Sequence, residues 1–278
     1  MASSSDLAVV ICHGSYHTPA PYAPLVEALK VVGIDAYCPQ LPTADLAQLN
    51  VGDPNSPDFD LGPPQGGYPQ GVEDTKVILD ILHLLILKGK RVLIIGHSSG
   101  GWVATQAARP ELQINTRKAQ GLEGGIIGLF YIGAFIIPVG ESVHSFFQPK
   151  DGSFVVPPFI QFHKHGGAGL ATPNNAENFF FNDLEPEIGK KWAATLTASP
   201  ILTTKLDNDA YAALPCAYLI LEGDQTLPKD YQENMVAFQT QKTGAFTLYS
   251  CPAGHSPHLS WTGGLVEKIQ DFIKKADV

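Results

Sequence analysis

The chain has 278 residues, 44% apolar and 16% charged, with a formal net charge of -9. That length suits one large α/β domain with a small insert, and that apolar content excludes a disordered chain. No basic run exceeds Arg117-Lys118 or Lys274-Lys275, which speaks against nucleic acid as a partner.

Leu7–Cys12 is an apolar run closed by Gly14, a strand followed by a turn. Helical spacing over 22–32 ends at Gly33, and 34–38 forms a short second strand. The Pro/Gly/Asp-rich stretch 42–71 is expected to be a long surface loop. An amphipathic helix over 72–87 precedes an apolar strand at 91–95, a helix at 100–108 and a strand at 125–136. Cys216–Leu221 and 245–251 complete the strands, with helices near 230–238 and 265–275. Strands that are apolar throughout and alternate with helices indicate a parallel sheet covered on both faces.

Between these blocks, residues 138–215 carry many aromatics among Gly, Pro and Asn, and no clear strand. We expect a core of 1–137 and 216–278, with 138–215 inserted as a cap.

The chemistry centres on Gly96-His97-Ser98-Ser99-Gly100, a G-x-S-x-G motif between a strand and a helix. In that context the glycines permit a sharp turn that lifts the serine above the sheet. A phosphate-binding turn is the alternative, but no Walker lysine follows and G-x-G-x-x-G does not fit. A serine hydroxyl needs a base to attack a carbonyl. In α/β-hydrolases the triad runs in the order Ser, acid, His. The loop after the last strand, Gly254-His255-Ser256-Pro257-His258, offers two histidines, and His255 at the apex is preferred. His258, leading into the final helix, is expected at the pocket wall or the helix start. Asp224 leaves the preceding strand at its C-terminal end, where open parallel sheets place their sites. Glu222 is assigned to that strand and Asp230 to the next helix. The backbone N–H groups of Ser15 and Ser99 are the candidate oxyanion donors. Tyr16, His17, Phe154, Phe159 and His258 are candidates for substrate contact, and His13 is expected to be structural.

Together, His13-Gly14-Ser15-Tyr16-His17, Gly96–Gly101, Phe130–Phe135, Glu222-Gly223-Asp224 with Pro228 and Gln232, and Gly254–Ser260 resemble the α/β-hydrolase superfamily. The resemblance is to the branch of plant methylesterases and hydroxynitrile lyases, with its fungal and bacterial relatives linked to secondary metabolism. The run Phe180–Leu184 and Trp192 resemble the cap of those relatives. The resemblance spans nearly the whole chain, with the 42–71 loop the clearest departure. It implies a mostly parallel sheet with helices on both faces, the triad Ser98, Asp224 and His255, and an oxyanion hole at Ser15 and Ser99. Hydroxynitrile lyases of this branch carry Thr where this chain has Gly14, and Lys where it has Ser256. Ester or lactone hydrolysis is therefore the expected activity. C–C bond hydrolysis, a lyase or cyclase step on a polyketide-like metabolite, and a non-catalytic binding protein are the alternatives.

The remaining expectations are no cofactor and no metal, a small-molecule substrate, no nucleic-acid or membrane partner, and a homodimer as an open question. Cys12, Cys38, Cys216 and Cys251 lack CxxC spacing and read as reduced, buried hydrophobes. The start of the chain lacks the charged and apolar segments of a signal peptide, so a soluble cytoplasmic protein is expected.

Overall fold

The structure is a computed structural model and describes residues 6–276. Met1–Ser5, part of the segment read for a leader, lie outside the described residues. Six strands form the central sheet: β1 (Leu7–Cys12), β2 (Asp35–Tyr37), β3 (Arg91–His97), β4 (Gly125–Ile132), β5 (Cys216–Leu221) and β6 (Thr247–Cys251). Their order is β6-β5-β4-β3-β1-β2, and every pairing is parallel.

Each of the central strands buries both of its faces, which is why their sequences are apolar at odd and even positions alike. Val9 and Ile11 face one layer and Ala8, Val10 and Cys12 the other. Helices α1 (Ala23–Val31) and α5 (Thr262–Ala276) cover the first side with Leu25, Leu29, Leu265, Ile269 and Phe272. Helices α2 (Gly71–Leu87), α3 (Gly100–Ala107) and α4 (Lys229–Thr243) cover the second with Ile78, Leu82, Val103, Met235 and Val236.

Several boundaries differ from expectation. β4 ends at Ile132 rather than 136, because Gly133 turns the chain at φ 44°. Glu222 lies beyond the end of β5, although its N–H still donates to the Cys251 carbonyl. A short helix, Ile114–Ala119, was not expected.

The segment 138–215 does contain strands. Ile160–Phe162, Leu170–Pro173 and Ser199–Pro200 form a small antiparallel sheet. The segment also holds the helices Val143–Phe147, Ala176–Phe179 and Pro186–Ala193. Strands of two to four residues are too short for an alternating pattern to emerge from the sequence. The 42–71 stretch is likewise more than a surface loop. Leu49 and Val51 are fully buried against Leu170 and Ala198 of the insert. Residues Gly52–Asp53 pair with Ser56–Pro57 beside them.

The four cysteines carry free thiols. Among the described residues no helix is long and apolar enough to cross a membrane, and no group of His, Cys, Asp and Glu is arranged to hold a metal ion.

Candidate active site

Ser98 follows the last residue of β3 and holds φ at 53°, a left-handed conformation that costs a non-glycine residue about 1–3 kcal/mol. The surroundings over-determine it. Its N–H donates to Ile132 O, and its carbonyl accepts from Gly101 N–H and Phe135 N–H at 3.0 and 2.8 Å. The turn tolerates no side chain on its inner side: a Cβ on Gly100 would lie 2.1 Å from the Cys12 carbonyl oxygen. Sequence and geometry therefore agree on a strained strand-to-helix elbow that presents Ser98 at the C-terminal edge of the sheet.

His255 leaves β6 through Pro252–Gly254, and its Nδ1 lies 2.8 Å from Asp224 Oδ2. The carboxylate can only accept, so Nδ1 carries the proton and Nε2 is the basic nitrogen. Nε2 is buried and without a partner. Its bond to the serine hydroxyl is not formed in the free protein; such bonds are commonly long before substrate binds. Asp224 is 4% exposed, and its Oδ1 accepts from the N–H groups of Thr226 and Leu227. The carboxylate is thus fixed in place by its own loop. Buried Gln232 closes the end of β5 by donating to the carbonyls of Leu221 and Leu227 and accepting from Leu221 N–H.

The two oxyanion candidates differ in state. The N–H of Ser99 opens α3 and donates to no acceptor within the described residues. The N–H of Ser15 donates to the Ser99 hydroxyl at 2.7 Å. Gly14 lies directly against Ser98, since a Cβ there would sit 3.0 Å from Ser98 Cβ. A threonine at this position would crowd the Ser98 hydroxyl.

A buried chain of hydrogen bonds joins the first turn to the base loop. Gly14 N–H donates to Tyr22 Oη, and Tyr22 Oη lies 2.6 Å from His97 Nδ1. His97 Nε2 lies 2.8 Å from the His255 carbonyl oxygen, so it must carry the proton, and Tyr22 donates to Nδ1. The sequence reading missed Tyr22 and His97, because only the fold brings them together.

The insert clamps the same loops. Asn182 donates to Gly223 O of the acid loop, and Asp183 Oδ2 accepts from Gly254 N–H of the base loop. Phe180 packs edge-on against His255, and its carbonyl accepts from the Ser256 hydroxyl. A polar Asn-Asp pair inside an aromatic run was the available signal.

A cavity of about 400 Å³ opens at Ser98. Tyr16, Phe154 and Phe159 line it as expected, together with Phe135, Phe147, Phe162, Phe180, Ile201 and Leu227. No Asp, Glu, Lys or Arg does so; the polar groups are Tyr16, Gln148, Gln225, Thr226, Tyr231, His144 and the serines.

His17 and His258 are not cavity residues, which corrects their placement against substrate, while His258 does lie at a helix start, in the short helix Pro257–Ser260. Both are fully buried behind the site. His258 stacks on Tyr22 with 4.3 Å between centroids. His17 packs among Tyr22, His97, Phe180 and Phe181, and its Nδ1 donates to Ser15 O. Adjacency in sequence to the turn and to the base placed them near the reaction but facing the interior. His13 is structural: its Nδ1 donates to Gly14 O and its Nε2 accepts from Leu41 N–H.

Burial lowers the pKa of His13 to about 4 and of His17 to about 3, and those of His97 and His258 well below the ordinary value. A histidine with a lowered folded pKa binds its proton more readily when unfolded. Its stabilising contribution is complete above pH about 6.5 and is lost as pH falls through the folded values. The melting temperature is therefore expected to fall steadily from pH 6.5 to pH 4. A flat profile over that window in a thermal-melt series would contradict the neutral, buried assignment.

The chain is similar to known proteins in sequence and in fold. An α/β hydrolase of Aspergillus novofumigatus, nvfD, is 27% identical over 272 residues, which cover 97% of this chain and 97% of its own. A pyrethroid hydrolase from Sphingobium faniae JZ-2 superposes with a TM-score of 0.67 at 20% identity, over 98% of each chain. The Arabidopsis methylesterase MES16 superposes with a TM-score of 0.63 at 16% identity, over 96% of this chain and 99% of its own. These likenesses in structure concern the fold. Residues 9–267 match the family model described as the alpha/beta hydrolase family, and the chain belongs to that family.

Proposed function

We propose that the protein is a serine hydrolase that cleaves an ester or lactone of a small to medium, uncharged, apolar metabolite through an acyl-enzyme. The observation that carries this reading is the strained Ser98 elbow, opening on an aromatic cavity without charged side chains, with the His255–Asp224 pair on the loops that leave β5 and β6. In this mechanism Ser98 Oγ attacks the carbonyl carbon and His255 Nε2 takes the hydroxyl proton. Asp224 holds Nδ1 and stabilises the imidazolium. The N–H groups of Ser99 and Ser15 receive the developing oxyanion. His255 then returns the proton to the leaving alcohol, and a water repeats the sequence on the acyl-enzyme.

The test has two parts. A p-nitrophenyl phosphonate should label Ser98, and p-nitrophenyl esters should be turned over. Incubating a metabolite extract with the native protein and with Ser98→Ala, then comparing the products, identifies the natural substrate. Failure to label Ser98 would overturn the reading.

The segment 138–215 serves in this proposal as a cap that selects substrate by shape and excludes water, which strengthens polar contacts at the reacting centre. Phe154 is half exposed at the cavity, and Phe159 packs edge-on against Phe180 and at a tilt against Phe179. Truncating either to alanine is expected to change the ranking of kcat/KM between bulky and small acyl groups by about tenfold, the scale of a lost apolar contact. For Phe154→Ala the melting temperature should stay nearly constant, because the residue is half exposed. Lower melting temperatures with an unchanged substrate ranking would reduce the cluster to packing.

A further inference from the structure

Ser15 stands between two spaces. On one side it borders the 400 Å³ cavity together with Ser98. On the other it meets Ser99 at a small space of about 10 Å³, whose walls include Asp74 and Trp102. Towards that inner side Ser15 makes two bonds to one atom: its N–H and its hydroxyl donate to Ser99 Oγ at 2.7 and 2.8 Å. Ser99 itself is 5% exposed. The amide that the mechanism needs at the oxyanion is therefore already satisfied, by the side chain of the very residue whose own N–H is the first oxyanion donor.

We infer that the Ser99 hydroxyl is an internal cap on the oxyanion hole, holding the Ser15 amide in the resting protein and releasing it to the oxyanion that forms at Ser98. The inference rests on Ser98 being the nucleophile. A substrate carbonyl is a neutral acceptor, as the Ser99 hydroxyl is, and has no advantage in competing for the amide. The tetrahedral oxyanion is charged, and hydrogen bonds to charged acceptors are roughly twice as strong. The exchange is driven only when charge develops. Ser99 thus acts as a positioning residue through Ser15. Its cap also keeps the part-buried Ser15 N–H paired while the site is empty, which limits the cost of an orphan donor.

Breaking the cap subtracts about the net worth of one neutral hydrogen bond from each turnover. Ser99→Ala removes the acceptor and leaves both backbone donors in place. It is expected to raise kcat/KM for p-nitrophenyl esters by about fivefold, the equivalent of about 1 kcal/mol. The second-order rate of phosphonate labelling at Ser98 should rise by the same factor. Ser99→Thr keeps a hydroxyl and should return both rates to wild-type values. Loss of a merely structural contact would not accelerate either reaction. Rates in Ser99→Ala that are equal to or below wild type, with Ser98 still labelled, overturn the cap while leaving the nucleophile standing. A wild-type protein that cannot be labelled at all overturns the nucleophile and the cap with it.

Discussion

Ser98→Ala is expected to lower kcat by roughly 10⁴-fold or more while the protein keeps its fold, since removing a member of a triad typically costs that much. Circular dichroism and the melting temperature should remain near wild type. Alanine occupies the same left-handed conformation as serine, so the elbow strain is unchanged. Ser98→Gly supplies the complementary arm: it should be equally inactive yet more stable than Ser98→Ala by about 1 kcal/mol, because glycine adopts positive φ without penalty. Retention of more than a tenth of the activity in either variant would remove Ser98 from the chemistry. A glycine variant no more stable than the alanine one would show that the elbow stores no strain.

The part of the site that was legible beforehand is the part written in short range. Gly96–Gly101 carries its own context, a buried strand before and a helix after, and the structure places Ser98 at that junction. Asp224 was legible because it follows an apolar strand at the edge where such sheets place their sites, and its carboxylate meets His255 Nδ1. What was not legible depends on contacts between distant segments. Nothing local marks Tyr22 as the partner of Gly14 and His97, or Asn182 and Asp183 as ties on the acid and base loops. The burial of Leu49 and Val51 was hidden for the same reason: two aliphatic residues in a Pro- and Gly-rich stretch show no period, yet they anchor it beneath the insert. His17 shows the opposite error. Its position in the turn suggested the pocket, but its ring turns inward onto Tyr22 and Phe181.

The same ambiguity makes the histidine pair of the last loop the most discriminating experiment. His255 and His258 are both fully buried, lie three positions apart, the first in the loop and the second in the short helix after it, and approach the ring of His97 at 4.7 and 5.1 Å. Their hydrogen bonding separates them. His255 donates through Nδ1 to a buried carboxylate and leaves Nε2 as the basic nitrogen. Neither nitrogen of His258 has a partner, and its ring lies nearly parallel to Tyr22, with 8° between the planes. A ring that uses no polar atom can be replaced by phenyl at little cost, and the burial of two unpaired nitrogens is relieved. His258→Phe should therefore keep kcat and KM within about threefold of wild type and retain or raise the melting temperature. This revises the sequence-based expectation that His258 contacts substrate. His255→Phe should lose roughly as much activity as Ser98→Ala, because the members of a triad act as a unit. It also leaves the Asp224 carboxylate without its ring partner, a buried charge that should lower stability by a few kcal/mol. Steady-state kinetics and thermal melts on the two variants decide the matter. An inactive His258→Phe beside an active His255→Phe would exchange the two roles. Equal, partial losses in both would mean that neither ring is the base and that the pair only packs the loop.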